Sequence, residues 1–366
     1  MDRKEEVKIK LSRVRKFMEE NGFQAVLFKK QPNFSWITGG GLNMVGIATE
    51  MGVTSILVTK DNWYLIANKI EAPRMRDEEV SDLDVEVLEH EWYEVKEMEF
   101  VRKIVGDGRI ASDTYVPGLE YVEEKLKELR YELTEAEIER YLYLGSKLSE
   151  SLEKVLMEVK PGMRECEIAG MISAEIWKYR IDPTGFMVAA DDRARLYRHP
   201  IPTTRKIEKY VMVSVNARYK GLITTVTRIV HFGKLPEKLS KQYLDNVEIE
   251  CVMISKSRPG TRLCDVLNAA IEEYEKRGYH DEWKLHHQGG PMGYTARDIR
   301  VTPRNTEPIR PNQAICWNPT ISGTKSEDGF IATQNGPIMI TKPILFPKLR
   351  IEVEGLVFEK PAILEL

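Results

Sequence analysis

Apolar residues recur at helical spacing from the start of the chain. Val7, Leu11, Val14 and Met18 mark one face of a helix over residues 3–21, and Asn21-Gly22 supplies its stop. Short β-like runs follow at Ala25–Phe28, Thr54–Val58, Tyr64–Ala67, Val85–Leu88 and Arg109–Ala111, with helical patterns around 71–79, 97–105 and 119–130. This alternation predicts an α/β layer with a partly parallel sheet. A boundary falls near 131–134, where Thr134-Glu135-Ala136-Glu137 reads as a capping box. The helix it opens carries Ile138, Leu142, Leu148, Leu152, Val155 and Val159 on one stripe and ends at Pro161-Gly162. Two domains are therefore expected, residues 1–131 and 132–366.

The second half contains a repeat. Lys160-Pro161-Gly162-Met163-Arg164-Glu165-Cys166-Glu167-Ile168 returns 98 positions later as Arg258-Pro259-Gly260-Thr261-Arg262-Leu263-Cys264-Asp265-Val266. Each copy follows an amphipathic helix and precedes another: Ile168, Ile172, Ile176, then Val266, Ala270, Tyr274. Pro-Gly makes the turn, Arg and the acidic residue solvate the new helix, and the cysteine is expected in the core. A duplicated ααβ unit implies a pseudo-twofold α+β domain whose two half-sheets form a site between them.

Composition narrows the partners. The 366 residues are 42% hydrophobic and 30% charged with a net charge of −3, which suits a soluble two-domain protein and calls for neither nucleic acid nor an anionic membrane. No apolar run reaches the roughly 18 residues of a membrane span, and Met1-Asp2-Arg3-Lys4-Glu5-Glu6 opens without an apolar leader, so a cytoplasmic location is expected. The four cysteines, Cys166, Cys251, Cys264 and Cys316, lack the spacing of a disulfide framework or zinc site. Scarce glutamine beside abundant Lys, Arg and Glu leans toward a thermophilic source. Gly39-Gly40-Gly41 is read as a turn, since no helix-opening phosphate-loop pattern follows it.

Several segments resemble the creatinase, prolidase and Xaa-Pro aminopeptidase family, peptidase family M24, with its "pita-bread" fold. They are Asn33-Phe34-Ser35-Trp36-Ile37-Thr38-Gly39 in the first half, the strand-like hairpin 210–231, His286 to Asp298, and Trp317-Asn318-Pro319 through Glu327-Asp328. The resemblance implies a creatinase-type α/β N-terminal domain, a pita-bread C-terminal domain and a homodimer. In the peptidases two Asp, one His and two Glu hold a metal pair; here those positions read Ser214, Thr225, Gly290, Asn318 and Glu327. Four of the five are unsuitable, because one carboxylate and neutral oxygens cannot hold two divalent ions. No metal or other cofactor is expected.

Creatinase, by resemblance, works without metal through a histidine in the loop that here reads Tyr197-Arg198-His199-Pro200-Ile201-Pro202-Thr203-Thr204-Arg205. His199 is thus the expected general base, with Glu327 orienting it and His286 a further catalytic candidate. Arg297, Asn318, Tyr294, Arg198 and His287 are the expected substrate contacts, with Arg193 and Arg195 adding positive charge or pairing with Asp191 and Asp192. Adjacent His286 and His287 are expected to point to opposite sides. Trp317, Tyr294 and Phe186 are either an apolar wall or core. The leading expectation is metal-independent hydrolysis of a C–N bond in a small amide, amidine or dipeptide-like substrate. The alternatives are a non-catalytic ligand- or peptide-binding protein, or a metallopeptidase using His199, His286, His287 and Glu327.

Overall fold

In the computed structural model, which describes residues 1–366, the first helix runs Arg3–Asn21. Asp2 caps it by accepting from the Glu5 N–H, and Gly22 ends it at φ +69°, the left-handed region that favours glycine. Val7, Leu11, Val14 and Met18 are all buried. Six strands follow: Ala25–Lys30 (β1), Met51–Thr59 (β2), Trp63–Asn68 (β3), Glu86–His90 (β4), Ile110–Ser112 (β5) and Glu120–Tyr121 (β6). They form one sheet in the order β4-β3-β2-β1-β5-β6. It is mixed: β1 pairs antiparallel with β2 and parallel with β5. The pattern at 119–130 breaks into β6, a helical turn and a 3₁₀ turn rather than one helix. Gln31–Ile37 is a short, wholly buried helix, and Asn33 on it donates to Asp113 and Glu123.

The chain divides into two compact units: residues 1–137 with the hairpin tip Lys220–Leu222, and residues 138–219 with 223–366. Thr134 and Glu137 form the capping box, the backbone N–H of Thr134 donating to Glu137 and that of Glu137 to the Thr134 hydroxyl.

The second unit is built twice. Helices Glu135–Met157 and Glu165–Trp177 precede strands Asp182–Ala190 (β7), Tyr210–Tyr219 (β8) and Leu222–His231 (β9). Helices Glu237–Lys256 and Leu263–Lys276 precede Gly289–Pro291 (β10), Gln313–Trp317 (β11), the small hairpin Thr320–Ile321 (β12) and Thr324–Lys325 (β13), and Asp328–Thr333 (β14). The sheet order β10-β11-β14-β9-β8-β7 is palindromic in the two copies, the pattern a pseudo-twofold axis between β14 and β9 generates. Even single hydrogen bonds repeat. Gly162 N–H donates to Ile207 O at 2.8 Å and Gly260 N–H to Ile309 O at 2.9 Å; Ile207 N–H returns to Met163 O and Ile309 N–H to Thr261 O, both at 2.9 Å. Both glycines sit at φ +91°. The cysteines do not behave alike: Cys264 is buried, but Cys166 is exposed, contrary to expectation. The buried carboxylate of that turn is Glu165, which accepts from the Ala190 N–H and from the Thr203 N–H and hydroxyl, and pairs with Arg193.

Candidate functional site

The site lies on the central strands of this sheet. Alternation separates its two faces along β9. On one face Arg228 is fully buried and donates to Glu153 of the helix Glu135–Met157 at 2.7 Å and to Asp328 at 3.0 Å. Thr225 and Thr227 carry the other face. On β11, Trp317 belongs to the helix side, donating to Ser257 at 2.9 Å within the apolar core, so it is no wall of the site.

Two side-chain cations stand among the positions where the resemblance puts metal ligands. Lys325 Nζ lies 2.7 Å from Glu327 Oε2 and donates to Ser214 Oγ at 3.4 Å. Arg297 reaches Glu327 Oε1 at 3.0 Å and Thr225 Oγ1 at 3.5 Å. Thr227 also donates to Glu327 Oε2 at 2.7 Å, while its hydroxyl lies 2.6 Å from that of Ser214. Burial alone would raise the Glu327 carboxyl, but Lys325 and Arg297 outweigh it and hold the group at about 2. At Gly290, φ is +145° and a Cβ would lie 2.3 Å from the Ile299 carbonyl oxygen, so only glycine fits where the resemblance puts a histidine ligand. Two divalent ions require several anionic oxygens at roughly 2.0–2.6 Å. The only carboxylate here already has both oxygens on cations. These residues do not fit a paired-metal centre.

Three histidines converge beside this network. A ring nitrogen from each of His199, His286 and His287 lies within 4.8 Å of the other two. The His286 and His287 rings are 4.5 Å apart, centroid to centroid, which corrects the expectation that they diverge. His286 has extended backbone, φ −150° and ψ 147°, but it sits at a bend after the turn Glu282–Leu285 and the paired strand begins only at Gly289. The protons can be assigned by following the acceptors. With the one Thr320 hydroxyl proton assigned to the Asn318 carbonyl at 3.1 Å, Oγ1 accepts from His286 Nδ1–H at 3.0 Å. His286 Nε2 is then bare and accepts from His199 Nε2–H at 3.1 Å, leaving Nδ1 of His199 as its unprotonated nitrogen. Burial, then Lys325, drives the His286 pKa down to about 2; burial, then Arg297 and Lys325, takes His287 to about 4. His199 is an exposed residue whose ring is only partly desolvated; that desolvation, Lys325 and Arg300 lower its pKa, against a smaller opposing pull from Glu327.

The structure redistributes the expected roles. Glu327 takes Thr227, Lys325 and Arg297 on its two oxygens and makes no hydrogen bond to His199; His286 is the partner instead. Arg297 joins the Glu327 network through its terminal nitrogens, with its Nε–H left over. Arg198 turns away to Ser322 and to Glu282, 3.5 Å distant. Arg193 pairs with Glu165, and it is Arg205 that holds Asp192. Tyr294 is fully buried. Asn318 Oδ1, His287 Nδ1 and Arg297 Nε are buried without a hydrogen-bond partner. Sequence reasoning missed Lys325, Thr320 and Arg300, and gave Thr227 no role in the site. Lys325 had a signal: a lysine two residues before Glu327, the spacing that puts both on one face of an extended segment.

A two-domain protein with a creatinase-type first half and a pita-bread second half is the class this architecture defines. The family models agree: Creatinase/Prolidase N-terminal domain matches residues 10–141 and Metallopeptidase family M24 matches residues 139–357. The chain belongs to metallopeptidase family M24. It is 22% identical over 361 residues to the Xaa-Pro dipeptidase of Pyrococcus horikoshii, covering 91% of this chain and 97% of that one. An uncharacterized peptidase of Staphylococcus epidermidis is 25% identical over 231 residues, 60% of this chain and 65% of the relative's own length. The solved Xaa-Pro dipeptidase from Bacillus anthracis superposes with a TM-score of 0.78 at 19% identity, covering 98% of this chain and 100% of that one. No helix is long and apolar enough to cross a membrane.

Proposed function

We propose that this protein hydrolyses a C–N bond in a small amide, amidine or dipeptide-like substrate without the paired metals of its family, using His199 as general base. The observation that carries the reading is the relay Asn318 O, Thr320, His286, His199, which leaves His199 Nδ1 as a base in its neutral form. His286 is a positioning residue: its low pKa keeps Nε2 an acceptor throughout the neutral range. His199 Nδ1 takes a proton from water as the water oxygen bonds to the acyl carbon; the imidazolium then gives that proton to the departing nitrogen as the C–N bond breaks. Glu327 acts at a distance, its charge favouring the imidazolium. Likeness to Xaa-Pro dipeptidases supports a short peptide as substrate, and the family supports a cytoplasmic homodimer.

The test is a turnover screen of Xaa-Pro dipeptides and small amides with and without chelator. Activity that persists in chelator and is lost in His199→Ala supports the reading; activity that needs added metal overturns it. Three orphaned buried atoms, Asn318 Oδ1, His287 Nδ1 and Arg297 Nε, favour a second reading, a ligand-binding protein without turnover. Binding of a dipeptide with no hydrolysis would select it.

A further inference from the structure

The former metal positions hold more positive charge than their one carboxylate can balance. Lys325 and Arg297 have side-chain exposures of 3% and 10%, and both lean on Glu327, itself 2% exposed. One cation would suffice to neutralise that carboxylate. The second leaves a net positive charge inside the protein, which is costly unless an anion completes the site. The arrangement is not a random surface pair either. Each former ligand position that still offers a side-chain oxygen on β8, on β9 or at Glu327 touches one of the two cations: Ser214 and Glu327 meet Lys325, Thr225 and Glu327 meet Arg297. Arg297 Nε–H is buried and unspent, a donor awaiting an acceptor. Arg300, exposed nearby, adds to the positive field that Lys325 and Arg297 impose on the histidines.

We propose that Lys325 and Arg297 take over the electrostatic role of the family's two metal ions, forming an anion site that receives the ligand's acyl oxygen as it becomes an oxyanion. The identity of that oxygen rests on the hydrolytic reading; the anion site does not. Fixed cations aimed at developing charge in a desolvated site supply stabilisation without reorganisation. They also explain why the four other ligands are dispensable: a side-chain ammonium and guanidinium need no carboxylate cage, and their charge repels divalent ions.

Inorganic phosphate is a suitable probe, as a small tetrahedral oxyanion whose binding is read by calorimetry without any turnover. The wild-type protein should bind one phosphate per chain. Lys325→Met leaves the Arg297–Glu327 pair neutral and should weaken phosphate at least about tenfold. Arg297→Gln leaves Lys325–Glu327 neutral and should do the same, so a folding defect in either variant leaves the other to decide. Glu327→Gln increases the positive excess and should tighten phosphate binding, a sign that a merely structural ion pair does not predict. No phosphate binding by the wild type, or wild-type affinity retained in both Lys325→Met and Arg297→Gln, overturns the proposal. So does binding of two Mn²⁺ per chain that competes with phosphate. Failure of His199 as base would show in turnover and leave these titrations untouched.

Discussion

His199 Nε2 and His286 Nε2 stand 3.1 Å apart, and the Thr320 hydroxyl behind His286 decides which of them carries the shared proton. A base must be unprotonated, so turnover should rise with pH through the His199 pKa and then level. That pKa lies below the ordinary 6.5 because of partial desolvation and the nearby cations Lys325 and Arg300. The acid limb of the pH–rate profile should accordingly fall below 6.5, and Lys325→Met should move it upward. A limb above 6.5 in the wild type would contradict the electrostatics of the site.

His286 also links the fold to pH. The unfolded chain protonates this imidazole near 6.5, whereas the native state resists until about 2. The native state therefore binds fewer protons in that window, and its stability falls as pH drops below 6.5. One such group changes stability by on the order of 1 kcal/mol per pH unit. Denaturant unfolding of the wild type and His286→Gln between pH 5 and 8 should show the wild type losing more, by about one proton's slope at the acid end. Parallel curves would refute this.

Beneath the site, Lys360 Nζ lies 2.6 Å from both Glu250 and Asp328, all three fully enclosed. Glu250 also accepts from the Asp328 N–H, and Asp328 follows Glu327 directly. Lys360→Met strands two buried carboxylates with Arg228 as the remaining cation. The expected cost is roughly 3–5 kcal/mol in unfolding free energy, measured by urea titration. A loss below about 1 kcal/mol, the worth of an exposed pair, would mean the cluster is better solvated than its burial implies.

Gly290→His should not recreate a metal site. At φ +145° with the Ile299 carbonyl 2.3 Å from any Cβ, the side chain must displace backbone. We expect destabilisation of about 1–3 kcal/mol and no gain in metal affinity by calorimetry, even with Mn²⁺ or Zn²⁺ in excess. Tight metal binding by this variant would show that the Ile299 segment yields easily.

Most of the architecture was legible in one dimension. The stripe Val7, Leu11, Val14, Met18, the stop at Gly22 and the Thr134–Glu137 capping box are local signals, and each appears where its spacing puts it. The repeated Pro-Gly turns carried the pseudo-twofold because a turn and the helix after it are set by a few neighbouring residues. The uncharged residues Ser214, Thr225, Gly290 and Asn318 were equally readable, since residue type needs no structure.

The two cations that stand among them were not readable. Lys325 on a small hairpin and Arg297 in a distant loop meet only because β9 and β14 bring Thr225, Thr227 and Glu327 together across the sheet. The same holds for His199 and His286, 87 positions apart, whose tautomers depend on a threonine hydroxyl and a backbone carbonyl. Sequence determines which groups a chain owns and the local elements they sit on. Charge compensation, burial and the direction of a hydrogen bond are properties of neighbours in space, and only the folded sheet chose the neighbours.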